Sequence, residues 1–158
     1  MHFTMSKSAQ DFFSNVITPE GSHGSKDKNK FLQFDVYYCC ALIGMAALKL
    51  DTDTELKAQL VDKYPKAYSE SKAHIAGLLV ASEAKRLGVD LQSSKLEEII
   101  LRYLSDDSTM LSEEGIRTLN QYSAAGYNLI HEFPLVEKPT SREEFLEAFN
   151  IAIQMYSK

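Results

Sequence analysis

The side chains best suited to chemistry in this chain are four histidines, two cysteines and a set of adjacent carboxylates, and their spacing limits them. His2, His23, His74 and His131 stand far apart in sequence. None has a second histidine or a cysteine at the intervals by which metal ligands share one helix or turn. Cys39 and Cys40 are neighbours. On a helix their side chains diverge by ~100°, and a disulfide between them would be strained. They read as reduced thiols of an interior, in a reducing compartment. Carboxylate pairs occur at Glu97-Glu98, Asp106-Asp107, Glu113-Glu114 and Glu143-Glu144. All but Asp106-Asp107 fall in expected first helical turns, where negative charge complements the helix dipole. A structural role therefore accounts for them without a shared acid–base cleft. The sequence also lacks a glycine-rich phosphate loop, a G-x-S-x-G elbow, an H-E-x-x-H helix and a C-x-x-C pair. The expectation is a non-enzyme that uses no metal and no cofactor.

The basic residues suggest a different chemistry. Lys26, Lys28 and Lys30 alternate in one irregular stretch, and Lys85 and Arg86 close an expected helix. Lysines on such a stretch can contact phosphates without reading bases. These residues are the candidate nucleic-acid contacts. The net charge of −5 opposes this as the main role, because phosphate neutralisation supplies most nucleic-acid affinity. The same charge disfavours anionic membranes. The aromatic set holds 8 Tyr and 8 Phe without a Trp. Tyrosine joins apolar area to a polar tip and suits protein interfaces. Phe3, Phe12, Phe13, Tyr122 and Tyr127 are the candidate partner contacts.

The elements that must position these groups read as helices. Phe31–Leu50 contains an unbroken apolar run from Val36 to Leu48, 13 residues long. A membrane span needs about 20, and Asp35, Lys49 and Asp51 border the run, so it reads as a helix buried nearly all round. Capping boxes at Thr52–Glu55, Ser94–Glu97 and Ser141–Glu144 predict helix starts. They give helices over 52–64, 94–104 and 141–156. A helix over 67–87 ends at Gly88, where a left-handed cap residue belongs. Ser112 starts another over 113–132. Residues 8–17 form a short helix or turn. No convincing strand is visible. Two similar hairpins, Leu42–Tyr64 and Leu79–Tyr103, are too few and too unevenly offset for a solenoid.

Small residues predict where helices meet most closely. Ala41, Gly44 and Ala47 are spaced by three, and Ala73, Gly77 and Ala81 by four. The expectation is close packing between these two ridges within the chain, with a dimer seam as the alternative.

The sequence thus predicts an all-α, compact bundle of five to six helices around a buried central helix (31–50). Residues 1–30 form an arm with a short helix and a Gly/Lys loop, and 31–158 form the helical domain. The N-terminus has no apolar core of a secretion signal, and the expected location is cytoplasmic. The function expected is a non-enzymatic adaptor or accessory subunit that assembles with another protein or with itself. The alternative is a nucleic-acid-associated subunit, and the third reading is an enzyme with an unrecognised site.

Overall fold

The computed structural model describes residues 2–18, 30–53 and 57–157. Helix α2 (Gln33–Ala47) starts where the Asp35 carboxylate accepts the Leu32 backbone N–H at 2.8 Å. That bond satisfies a donor which helix termini otherwise leave open. The helix stops at Leu48, which takes the left-handed conformation (φ 54°), and the Lys49 N–H closes back onto the Gly44 carbonyl. Helix α5 (Glu113–Glu132) is capped by Ser112, whose hydroxyl accepts the Gly115 N–H at 3.0 Å.

Helices α2 and α5 form the most extensive helix pair. Two glycines explain their closeness. A Cβ on Gly126 would stand 1.7 Å from the Cys40 carbonyl oxygen, and one on Gly44 would stand 2.0 Å from that of Tyr122. The backbones touch at both points. This corrects the expected pairing of small-residue ridges. Ala41 and Gly44 are buried on α2 and Ala47 is half-buried, but the helix that meets this one at Gly44 is α5. Ala73, Gly77 and Ala81 are all exposed, and a Cβ on Gly77 would meet nothing within 4 Å. Their spacing of four follows one side of a helix, and the apolar stripe of that helix lies on the other side.

That helix is α3 (Lys72–Arg86), preceded by a 3-10 turn at Lys66–Tyr68. It buries Ile75, Ala76, Leu79, Val80, Glu83 and Ala84. Gly88 follows it at φ 71°, as its sequence position predicts. Helix α4 (Lys95–Tyr103) packs on α3 and α5, and α6 (Arg142–Tyr156) on α2 and α5. Ser141 caps α6 by accepting the Glu144 N–H at 3.2 Å. The Ser94 box does not form. Ser93 accepts the Lys95 N–H instead, at 3.2 Å.

The described residues also contain a small sheet that the all-α expectation lacks. Strands β1 (Phe3–Ser6) and β2 (Lys57–Val61) pair antiparallel. The helix expected over 52–64 is therefore corrected to a strand, with residues 54–56 outside the described set. Asp51 shows why the chain departs from its cap signature. Its N–H donates to the Gln121 carbonyl at 3.0 Å, and its carboxylate accepts from Asp53 N–H at 2.9 Å and from Asn128 at 2.8 Å. The chain is thereby tied to the flank of α5 and runs on to β1. Phe3 and Met5 alternate inward from β1. Tertiary pairing of this kind overrides local propensity.

Helix α1 (Lys7–Phe12) follows β1, with Ser6 accepting the Ala9 N–H at 3.1 Å. Phe12, Phe13, Val16 and Ile17 sit in the same core as α2 and α5. Backbone bonds from Phe31 to Val16 (2.8 Å) and from Thr18 to Phe31 (2.7 Å) hold this segment beside the start of α2. Among the described residues no helix is long and apolar enough to cross a membrane.

Candidate functional site

The α3 stripe carries one carboxylate into the interior. Glu83 is 0% exposed. Its Oε1 accepts from the Tyr103 hydroxyl and from Arg86 Nη2, both at 2.8 Å. Its Oε2 accepts from the Tyr122 hydroxyl at 2.5 Å and from Arg86 Nε at 2.6 Å. Helices α3, α4 and α5 each contribute to this knot. Burial pushes the Glu83 carboxyl up, but the bonds from Arg86, Tyr122 and Tyr103 more than offset it, and the group stays below the usual carboxylate range. Burial, then the bond to Glu83, pushes the Tyr103 hydroxyl up to about 12 and raises that of Tyr122 too. Both oxygens of Glu83 are engaged twice, so the carboxylate has no lone pair aimed at a substrate. The arrangement joins helices and is unsuited to proton transfer with a ligand.

A second knot holds the N-terminal strand. Asn120 on α5 accepts the Tyr37 hydroxyl at 2.6 Å and the Thr4 N–H at 3.1 Å through Oδ1, and its Nδ2 donates to the His2 carbonyl at 3.0 Å. Ser123 adds a bond to the Tyr37 carbonyl at 2.9 Å. A third polar contact joins the Tyr68 hydroxyl, as donor, to Asp35 at the head of α2. Burial, then the nearby Asp35 charge, pushes the Cys39 thiol up to about 12, and burial, then Cys39, raises that of Cys40 well above its usual value. Thiols held protonated in this way are poor nucleophiles and poor ligands. Among the described residues no three His, Cys, Asp or Glu side chains gather closely enough to hold a metal.

Of the expected basic contacts the structure describes Lys30, Lys85 and Arg86. Lys26 and Lys28 lie outside the described residues. Lys30 is half-buried beside Phe31. Arg86 is exposed but its guanidinium pairs with Glu83, and the exposed Lys85 projects from α3 about 100° away from it. Most of the expected partner aromatics serve the chain's own core. Phe3, Phe12, Phe13 and Tyr122 are buried, and half-buried Tyr127 stacks on His131 at 5.4 Å between ring centroids.

The outer side of α3 borders a concave surface feature. A groove of about 330 Å³ runs between α2, α3 and the end of α6. Leu42, Met45, Ala46 and Leu48 line it from α2, with Leu78, Ala81, Ser82 and Lys85 from α3 and Tyr156 and Ser157 from the C-terminal end. Among the described residues its lining is apolar apart from Ser82, Lys85 and the tips of Tyr156 and Ser157, and includes no carboxylate.

Glu83 and the groove are the structural features that the sequence reading misses. A signal for Glu83 exists: it stands four residues after Leu79 on the apolar stripe, with Arg86 one turn on. The groove has no such signal, because three separated segments build it. No known protein family, characterised protein or solved structure matches the chain.

Proposed function

We propose that this protein is a non-enzymatic helical adaptor or accessory subunit of the cytoplasm, organised about α2, that works by docking a protein segment on the α2–α3–α6 groove. The observation that carries this reading is the outward face of α2. That helix is apolar on every side, yet Leu42, Ala46 and Leu48 are only partly covered, and they floor the groove. Exposed apolar concavities of this kind suit a helix laid into them. Ala73, Gly77 and Ala81 add to it. They form a ridge of small side chains along the outer side of α3, entering the groove at Ala81, where a partner backbone can come close. The saturated Glu83 knot and the protonated thiols favour binding over catalysis. Nucleic acid draws less support, since the guanidinium of Arg86 is committed to Glu83.

The test is a photoreactive phenylalanine analogue placed in the groove at Ser82 or, as a control, at exposed Asp11 on α1, in the full chain inside cells. The reading expects a protein adduct at Ser82 whose crosslinked peptide can be mapped. It expects none at Asp11, and loss of the adduct on Ala81→Glu. Absence of any adduct specific to Ser82 overturns it.

A further inference from the structure

We propose that the groove is occupied by α4 of a second copy of this chain, an inference that rests on the docking role of the groove. Helix α4 has an unpartnered side of its own. Ile99 and Tyr103 turn inward, which sets Leu101 on the opposite side. Leu101 is 74% exposed, more than any other large apolar side chain among the described residues. Glu97 and Glu98 lie four and three residues before it, so both carboxylates flank the leucine on one outward face.

That face is complementary to the groove. The groove offers an apolar floor at Leu42 and Leu78, and among the described residues Lys85 is the formally charged one that lines it. Lys49, exposed just beyond α2, adds a second cation near the same end. Among the described residues Lys85, Lys49, Glu97 and Glu98 form no ion pair within their own chain. Seating Leu101 between α2 and α3 removes its apolar surface from water. It also brings Glu97 and Glu98 to the lysines, which fixes orientation more than it adds affinity. The donor face and the acceptor groove are different patches, so copies join head to tail or as a reciprocal pair.

Sedimentation velocity of the purified full chain over a wide concentration range tests this. Association of the unmodified chain is expected. Leu101→Asp or Ala81→Glu, both at exposed positions, is expected to abolish it with the circular dichroism melt unchanged. Lys85→Glu is expected to weaken it about tenfold, and adding Glu97→Lys and Glu98→Lys in the same chain is expected to restore it. Mixing the Leu101→Asp and Ala81→Glu chains, which cannot associate alone, should yield a one-to-one pair, since one keeps its groove and the other its α4. A chain that stays monomeric, or association untouched by these variants, overturns the inference. If the adduct at Ser82 then maps to a different protein, the docking role stands and the second copy does not.

Discussion

Gly126 on α5 lies so close to Cys40 on α2 that a Cβ there would stand 1.7 Å from the Cys40 carbonyl oxygen. Gly44 repeats the relationship one turn further along α2, against Tyr122. The two helices are held backbone to backbone, and that distance sets the positions of the buried tyrosines and of Asn120.

Opposite signs are therefore expected for two glycine substitutions. Gly126→Ala forces α2 and α5 apart and should cost about 3 kcal/mol or more, as overpacking against backbone does. Gly77→Ala, on an exposed helical position with open space around it, should stabilise by about 0.5–1 kcal/mol. Urea denaturation of the two variants reads both. A stabilising Gly126→Ala would show that the helices are not in contact there.

Removing the Glu83 charge tests the knot between α3, α4 and α5. Glu83→Gln keeps the volume but leaves Arg86 facing an amide, at an expected cost of about 3 kcal/mol. Tyr122→Phe removes one bond and should cost about 1–2 kcal/mol. The two are coupled through one carboxylate, so the double variant should lose less than the sum. Additive losses would mean that the contacts are independent.

The same knot fixes the pH range of stability. The Glu83 carboxyl is lower in the folded chain than the ordinary carboxyl value of 4.5. Its contribution is complete above that value and is lost as pH falls through the folded one. The Tyr103 hydroxyl is raised from 10.0 to about 12. Its contribution is complete below the unfolded value and is lost as pH rises towards the folded one. Denaturation midpoints should be flat near neutrality and fall on both sides. In Tyr103→Phe the alkaline fall should be shallower, and an unchanged alkaline limb would assign it to other groups.

Thiol reactivity should report burial directly. Cys39 and Cys40 are expected to react with iodoacetamide only slowly in the native chain at neutral pH, and both rapidly in denaturant. Fast native labelling of Cys40 would contradict its enclosure between α2 and α5.

The N-terminal strand should open when its anchor is removed. Asn120→Ala deletes the acceptor of the Thr4 N–H and the donor to the His2 carbonyl. Amide exchange at Thr4 is expected to accelerate more than exchange within α2, because the loss is local. Equal acceleration at both would indicate global destabilisation instead.

Periodicity and end signals in the sequence were enough to determine most helices. The apolar run of α2, the Ser112 and Ser141 caps and Gly88 after α3 are local devices acting over a few residues, and each is where its spacing predicts. Tertiary structure decided the rest. The cap signature at Thr52–Glu55 leads into a strand, because β1 offers a pairing partner and Asp51 is tied to α5. Ala73, Gly77 and Ala81 look like a packing ridge in sequence, yet they face outward, because the buried side of α3 is the one that carries Glu83. Glu83 itself is tolerated inside because Arg86 of its own helix pairs with it and tyrosines from α4 and α5 arrive to satisfy the rest. The groove exists only where α2, α3 and the end of α6 converge. Local propensity is written along the chain, whereas burial, the satisfaction of a buried charge and the shape of a groove depend on residues far apart in sequence, which folding alone brings together.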